Sequence, residues 1–129
     1  IAPNFKIGGK IDRIDEKAGG KIEIIDYKTG RVPAKREIDH NLQLSMYAMA
    51  ANLLPYPPFQ KKAEDVILTL YYFDTQQKIS TMRTEAQLEE EKAKILEVAQ
   101  EIESSDFHCS GSQICNNCEY KLFCGVIDE

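Results

Sequence analysis

Gly9-Lys10-Ile11-Asp12-Arg13-Ile14-Asp15 and Ile24-Ile25-Asp26-Tyr27-Lys28-Thr29-Gly30 lie on either side of Lys17-Ala18-Gly19-Gly20. β-Branched residues favour strands, and a Gly-rich break between two such runs reads as the turn of a hairpin. The strands are expected from Lys6 to Asp15 and from Lys21 to Lys28. Successive side chains of a strand point to opposite faces, so Asp26 and Lys28 share a face and Tyr27 takes the other. A hairpin centred on Gly19 pairs residues equidistant from it in the chain. Asp12 then stands opposite Asp26, on the same face.

Directly opposed residues have Cβ atoms about 4.5–5.5 Å apart, and like charges there are destabilising. Two facing carboxylates need positive charge between them. Lys28 supplies part of it, and a divalent cation would supply more; Mg²⁺ or Mn²⁺ suits carboxylate and carbonyl oxygens. Such a constellation can hydrolyse a phosphodiester. Asp12 and Asp26 would hold the ion, which makes water more acidic and neutralises phosphate charge. Lys28 would orient or deprotonate the attacking water, or stabilise the pentavalent phosphate. On spacing alone, Asp and Lys two apart describe a solvated strand face more often than a site. Asp15 and Glu16 read as surface charges flanking the turn.

Beyond the hairpin, Arg31 to Arg36 is a basic, Pro-containing loop. Asp39 looks like the N-cap of a helix whose apolar positions are Leu42, Met46, Met49 and Leu53. Pro55, Pro57 and Pro58 end it. Val66 to Asp74 reads as a strand, and Ile79 to Arg83 as its shorter partner. Thr84 and Gln87 form a capping-box pattern ahead of a helix with Leu88, Ile95, Ala99 and Ile102 on one face. The order β-β-α-β-β-α-tail points to an α/β sandwich with a mostly antiparallel or mixed sheet.

With these residues in view, the two opening stretches resemble the core motifs of RecB-like nucleases of the PD-(D/E)XK superfamily. That family carries Gln, three residues and Tyr on the helix after the hairpin, and Gln43-Leu44-Ser45-Met46-Tyr47 matches it. Residues i and i+4 are neighbours on one helix face. The resemblance implies a restriction-endonuclease-like fold, with a mixed central sheet flanked by helices, and metal-dependent cleavage of DNA. Exonuclease action is favoured over endonuclease action. By position, Asp12 and Asp26 are implied as metal ligands, with the Tyr27 backbone carbonyl as a third. Lys28 is implied as the catalytic lysine, and Gln43 with Tyr47 as support for the site or contacts to DNA. The family core begins with a helix, and many members have an upstream His or Glu near the metal. Neither precedes Ile1, so both are expected in a longer chain, of which this is a part.

Cys109, Cys115, Cys118 and Cys124 are all the cysteines of the chain. Thiolates so concentrated suit a soft metal centre, either tetrahedral Zn²⁺ or a [4Fe–4S] cluster; free structural thiols are the plain alternative. The tail resembles the C-terminal three-cysteine motif of iron–sulfur RecB-like nucleases, including CRISPR-associated relatives and helicase–nuclease subunits. There the fourth cysteine usually lies before the nuclease motifs. Here Cys109 is preferred, and an upstream cysteine is the other source. Residues 1–104 are thus expected to form the nuclease core and 105–129 a Cys-rich metal-binding tail.

The 129 residues suit one domain, and 43% hydrophobic with 29% charged residues is ordinary for a globular protein. No apolar run approaches the roughly 20 residues that span a bilayer. The chain starts at Ile1 without a signal-peptide pattern, which favours metal over disulfides for the cysteines and a cytoplasmic location. Sixteen basic against 21 acidic side chains give a net charge of −5, a mild argument against phosphate binding. Lys28, Arg31, Lys35 and Arg36 form a local basic cluster that would answer it, or a solvated loop. With no phosphate loop of the ATPase type in the chain, any motor lies elsewhere, as in a UvrD/Rep-like helicase. Three functions follow: a nuclease domain of a DNA-processing protein, a non-catalytic DNA-binding or assembly module on the same fold, and a zinc-stapled interaction domain. Only the first depends on Asp12, Asp26 and Lys28 for cleavage.

Overall fold

The Lys17 amide donates to the Lys21 carbonyl at 2.9 Å and closes the hairpin expected from the sequence. In the computed structural model, which describes residues 2, 4–107, 111–121 and 123, Gly19 and Gly20 adopt φ of +74° and +77°. Side chains disfavour that region, which is why glycine occupies this turn. Strand β1 (Arg13–Glu16) and strand β2 (Ile22–Lys28) pair Arg13 with Ile25, Ile14 with Ile24, Asp15 with Glu23 and Glu16 with Ile22. That is the register centred on Gly19. The first strand is shorter than expected, because residues 6–12 do not join the ladder. Gly8 and Gly9 lie in that segment without neighbours at the Cβ position, and glycine weakens a strand that has nothing to pack.

Strands β3 (Val66–Tyr72) and β4 (Gln77–Thr81) complete a four-stranded sheet in the order β1-β2-β3-β4. The outer pairs are antiparallel and the central pair, β2 with β3, is parallel. Parallel neighbours require a crossover, here made by α1 (Lys35–Asp39) and α2 (Leu42–Leu53). The result is the mixed-sheet α/β class. Helix α1 was not expected, and it moves the cap: Asp39 ends α1, while the Asn41 side chain accepts from the Leu44 amide at 3.0 Å and caps α2.

One face of the sheet carries the core. Ile22 and Ile24 of β2 and Val66, Leu68 and Leu70 of β3 pack with Leu44, Tyr47, Ala48 and Ala51 of α2. The face expected for α2 was partly wrong, since Leu42 and Leu53 are exposed. The helix is apolar around most of its circumference, so periodicity alone does not select the buried side. Helix α3 (Glu85–Ser104) begins with the predicted box: Gln87 Oε1 accepts from the Thr84 amide at 2.9 Å, and Thr84 Oγ1 from the Gln87 amide at 3.2 Å. Leu88 and Ile95 join the core.

Arg83 is the least expected member of the interior, only 3% exposed. Its Nε donates to Ser45 Oγ at 2.9 Å and its Nη2 to the Ile38 and Asn41 carbonyls at 2.9 and 3.3 Å. Its Nη1 reaches Thr81 Oγ1 and the Met82 carbonyl, both at 3.1 Å. Burial lowers its pKa below the ordinary guanidinium value, opposed by the charges of Asp39 and Glu91. One guanidinium thus satisfies carbonyls at the end of α1 and the start of α2 and ties both to β4.

The chain divides into two compact units, Ile1–Leu96 and Glu97–Glu129. The second holds the C-terminal part of α3 and a 3-10 turn over Gln113–Asn117. Among its described residues none is buried. No helix among the described residues is long and apolar enough to cross a membrane.

Candidate active site

Along β2 the face that carries Ile22 and Ile24 into the core continues to Asp26 and Lys28, so the strand passes from core to site without changing sides. Asp26 is 4% exposed. Its Oδ1 lies 3.1 Å from the Tyr47 hydroxyl of α2, and its Oδ2 lies 2.6 Å from Lys28 Nζ. Lys28 also donates to Gln43 Oε1 at 2.9 Å, and Gln43 Nε2 donates to the Tyr47 oxygen at 2.9 Å. Asp26, Lys28, Gln43 and Tyr47 therefore form a closed polar ring at the edge of the core. The i, i+4 spacing of Gln43 and Tyr47 makes it possible, because one amide spans the lysine and the phenol. The single Tyr47 proton is divided between Asp26 and the Lys10 carbonyl, 3.0 Å away.

Asp12 lies in a bend just before β1, beyond the paired residues. Its Oδ2 accepts from the Tyr27 amide at 3.0 Å, which anchors its carboxylate one residue from Asp26. Facing of the two carboxylates was expected within the ladder; the structure sets Asp12 one position past its end. The Tyr27 ring takes the opposite sheet face, as the alternation requires, stacking on Phe73 at 5.1 Å and meeting Tyr71 edge-on at 5.9 Å.

Burial, then the charge and hydrogen bond of Asp26, and finally the charge of Asp12 push the Tyr47 pKa up to about 12; Gln43 opposes them. Both carboxylates thus act on one phenol. The folded value lies above the ordinary 10.0, so the stability this proton contributes is complete below about pH 10 and lost as pH rises through about 12. Ultraviolet titration of phenolate absorbance should show one late-titrating tyrosine that disappears in Tyr47→Phe. Identical titration curves for the two proteins would mean that the phenol does not face these charges.

Asp26 Oδ2 is buried and has no aligned hydrogen bond. The Lys28 ammonium, 2.6 Å away, pairs with it as an ion. A buried carboxylate oxygen that one half-exposed ammonium pairs with, outside hydrogen-bond alignment, can also be reached by a cation, and carboxylates suit a hard divalent ion. Asp12 and Asp26 fit such an ion to that extent. Among the described residues no group of three or more His, Cys, Asp and Glu side chains gathers at one point.

The other expected residues fare differently. The basic cluster is largely engaged: Arg31 pairs with Glu37 at 3.6 Å, Lys35 with Asp39, and Lys28 with the ring. Exposed pairs of this kind contribute little to stability and remain open to exchange with phosphate. Cys115 and Cys118 are half-buried free thiols linked by a tight turn, with the Cys118 amide 3.3 Å from the Cys115 carbonyl. Cys109 and Cys124 lie outside the described residues. Sequence reasoning missed Lys10, which contributes through its carbonyl and leaves no side-chain signal. It also missed Asp74, whose Oδ2 accepts from the Gly30 amide at 2.7 Å and fixes the chain leaving β2. An Asp closing a strand beside a turn was the available hint.

The mixed four-stranded sheet flanked by helices is the framework of a nuclease-type α/β domain, with the hairpin carboxylates and Lys28 at the edge of its core. The family model of the PD-(D/E)XK nuclease superfamily matches residues 2–125, and the chain belongs to that superfamily. Its members are generally nucleases, act on DNA and usually use Mg²⁺ or Mn²⁺. No curated protein matches the chain.

Proposed function

We propose that this protein is a divalent-metal-dependent deoxyribonuclease of the RecB-like branch, acting as an exonuclease within a larger DNA-processing protein that includes a UvrD/Rep-like helicase. The observation that carries this reading is the ring of Asp26, Lys28, Gln43 and Tyr47, with Asp12 anchored beside it. Asp12, Asp26 and the Tyr27 carbonyl would hold Mg²⁺ or Mn²⁺. When bound, the ion supplies positive charge that offsets charge building on the phosphate.

The rest belongs to the chain. Lys28, 34% exposed at its side chain, is the cation that reaches both Asp26 and solvent. It orients or deprotonates the attacking water, or stabilises the pentavalent phosphate. Gln43 and Tyr47 hold Lys28 and Asp26 in place and are positioning residues. Tyr47 keeps its proton throughout the physiological range and serves as a donor, not as a base. The deciding assay is cleavage of single- and double-stranded DNA with Mg²⁺ or Mn²⁺ by the parent chain and by Asp26→Asn.

The cysteine tail completes the proposal as a structural metal centre in residues 105–129, with residues 1–104 as the nuclease core and the cytoplasm as its setting. The absence of buried residues among those described in Glu97–Glu129 supports a staple, because so small a unit gains little from apolar burial. Cys109, Cys115, Cys118 and Cys124 would hold a [4Fe–4S] cluster or, as the alternative, Zn²⁺. Protein purified without air should contain stoichiometric iron with broad visible absorbance, or colourless stoichiometric zinc. Neither metal above background would remove the centre from the reading.

A further inference from the structure

Strand β2 has a neighbour on each side only as far as Ile25, where the β1 ladder ends. Asp26, Tyr27 and Lys28 continue along β3 alone, opposite Leu70, Tyr71 and Tyr72. On the β1 side the Asp12 carboxylate takes the Tyr27 amide at 3.0 Å, in place of a strand. On the β3 side contact continues past the strand ends. The Phe73 amide donates to the Lys28 carbonyl at 3.1 Å, and the Phe73 ring stacks on that of Tyr27 at 5.1 Å. The next residue, Asp74, accepts from the Gly30 amide at 2.7 Å, and a carboxylate makes one of the stronger hydrogen bonds to an amide. Gly30 stands at φ of +86°, so the chain leaves its extended path two residues behind the lysine. Phe73 and Asp74 thus hold the end of β2 at Tyr27, Lys28 and Gly30.

We infer that Asp74 is a positioning residue for Lys28: its carboxylate pins the chain behind the lysine and so keeps the ammonium in the ring. The inference rests on the nuclease reading of that ring and adds to it a residue from outside. Lys28 is the last residue of β2, and its ammonium lies 2.6 Å from Asp26 and 2.9 Å from Gln43. A flexible four-carbon stem holds such distances only if its root is fixed as well as its tip. Asp26 and Gln43 fix the tip; Phe73 and Asp74 fix the root. Without the bond at Gly30, the Lys28 carbonyl would make the last bond of the ladder, and ends of this kind open most readily. Asp74 is exposed and stands 44 residues along the chain from Gly30, so it acts through the backbone and not on the substrate. Misplacing a reacting group by about 1 Å can cost about 10²-fold in rate, which makes turnover the sensitive readout of such a clamp.

The test compares Asp74→Ala and Asp74→Asn with the parent. The position is exposed, so the fold should survive, which thermal melting checks. An Asn oxygen still accepts from the Gly30 amide, whereas Ala leaves that amide to water. With Mg²⁺ or Mn²⁺, Asp74→Ala should lower kcat on DNA by about tenfold and leave KM within about twofold of the parent's. Asp74→Asn should recover most of the loss. In a Lys28→Ala background Asp74→Ala should slow cleavage no further, because the side chain it positions is gone. In metal-free protein, amide hydrogen exchange at Gly30 and Phe73 should quicken by about tenfold in Asp74→Ala and return toward the parent rate in Asp74→Asn. Parent-like kcat in Asp74→Ala, an equal loss in Asp74→Asn, or full additivity with Lys28→Ala overturns the inference. Hydrogen exchange keeps the two readings apart. If the parent never cuts but exchange at Phe73 follows residue 74 as described, the nuclease reading fails and the clamp on Lys28 remains. If cutting needs Asp26 while exchange and kcat ignore residue 74, the clamp alone fails.

Discussion

Asp26→Asn should reduce DNA cleavage by at least about 10²-fold, since even partners one shell out from a metal act on that scale. The substitution keeps volume and leaves an oxygen to face Tyr47, but it removes the buried charge a cation would need. Stability should change by less than about 1 kcal/mol. Relief from Asp12 is offset by loss of the Lys28 pair, which is partly open to water. Asp12→Asn differs, because its contact is a backbone amide that an Asn oxygen can still accept from. It relieves repulsion without touching Lys28, so the metal-free protein should gain up to about 1 kcal/mol while cleavage falls.

Lys28→Ala should cut turnover by roughly 10²–10³-fold, the scale for removal of a group that stabilises charge in the transition state. Its metal affinity should hold or rise, because the Lys28 ammonium occupies the same Asp26 oxygen a cation would take. Cleavage assays on single- and double-stranded DNA, paired with metal titration and urea unfolding, read all three variants. Parent-like cutting by Asp26→Asn, or no cutting by any form with either metal, would transfer the protein to the DNA-binding or assembly module.

The largest effect on stability should come from a residue far from this chemistry. Arg83→Ala should lower the unfolding free energy by roughly 3 kcal/mol, because it removes the five hydrogen bonds of a buried guanidinium at once, leaves the Ile38 and Asn41 carbonyls and Ser45 Oγ each one partner short, and opens a void. Arg83→Lys should recover only part of it, since an ammonium lacks the planar fork that reaches α1, α2 and β4 together. Urea midpoints of the three proteins measure this. A midpoint for Arg83→Ala equal to the parent's would show that water replaces the guanidinium and that the joint between helices and sheet does not depend on it.

Local chemistry was readable wherever neighbours in sequence are neighbours in space. The Gly19-Gly20 turn set the β1–β2 register, and strand alternation put Asp26 and Lys28 on one face with Tyr27 on the other. The Thr84–Gln87 cap and the Gln43–Tyr47 pairing on one helix face follow from the same short-range geometry. Errors arose where local signals compete. Asp39 and Asn41 are both good caps, and only the extra turn of α1 decides between them. The apolar ring around α2 does not say which side the sheet covers.

By itself the sequence determined the hairpin, its register and the residue types that can hold a cation and act on phosphate, because each depends on a turn or a fixed repeat of side-chain direction. Tertiary structure decided the rest. Parallel pairing of β2 with β3 brings α2 over the sheet and closes the ring of Asp26, Lys28, Gln43 and Tyr47. The same packing sets the Lys10 carbonyl against Tyr47 and buries Arg83 at the helix joint. These contacts join residues far apart in the chain, and no periodicity encodes them; they exist only once burial of Ile22, Ile24 and Leu68 has fixed how the layers meet.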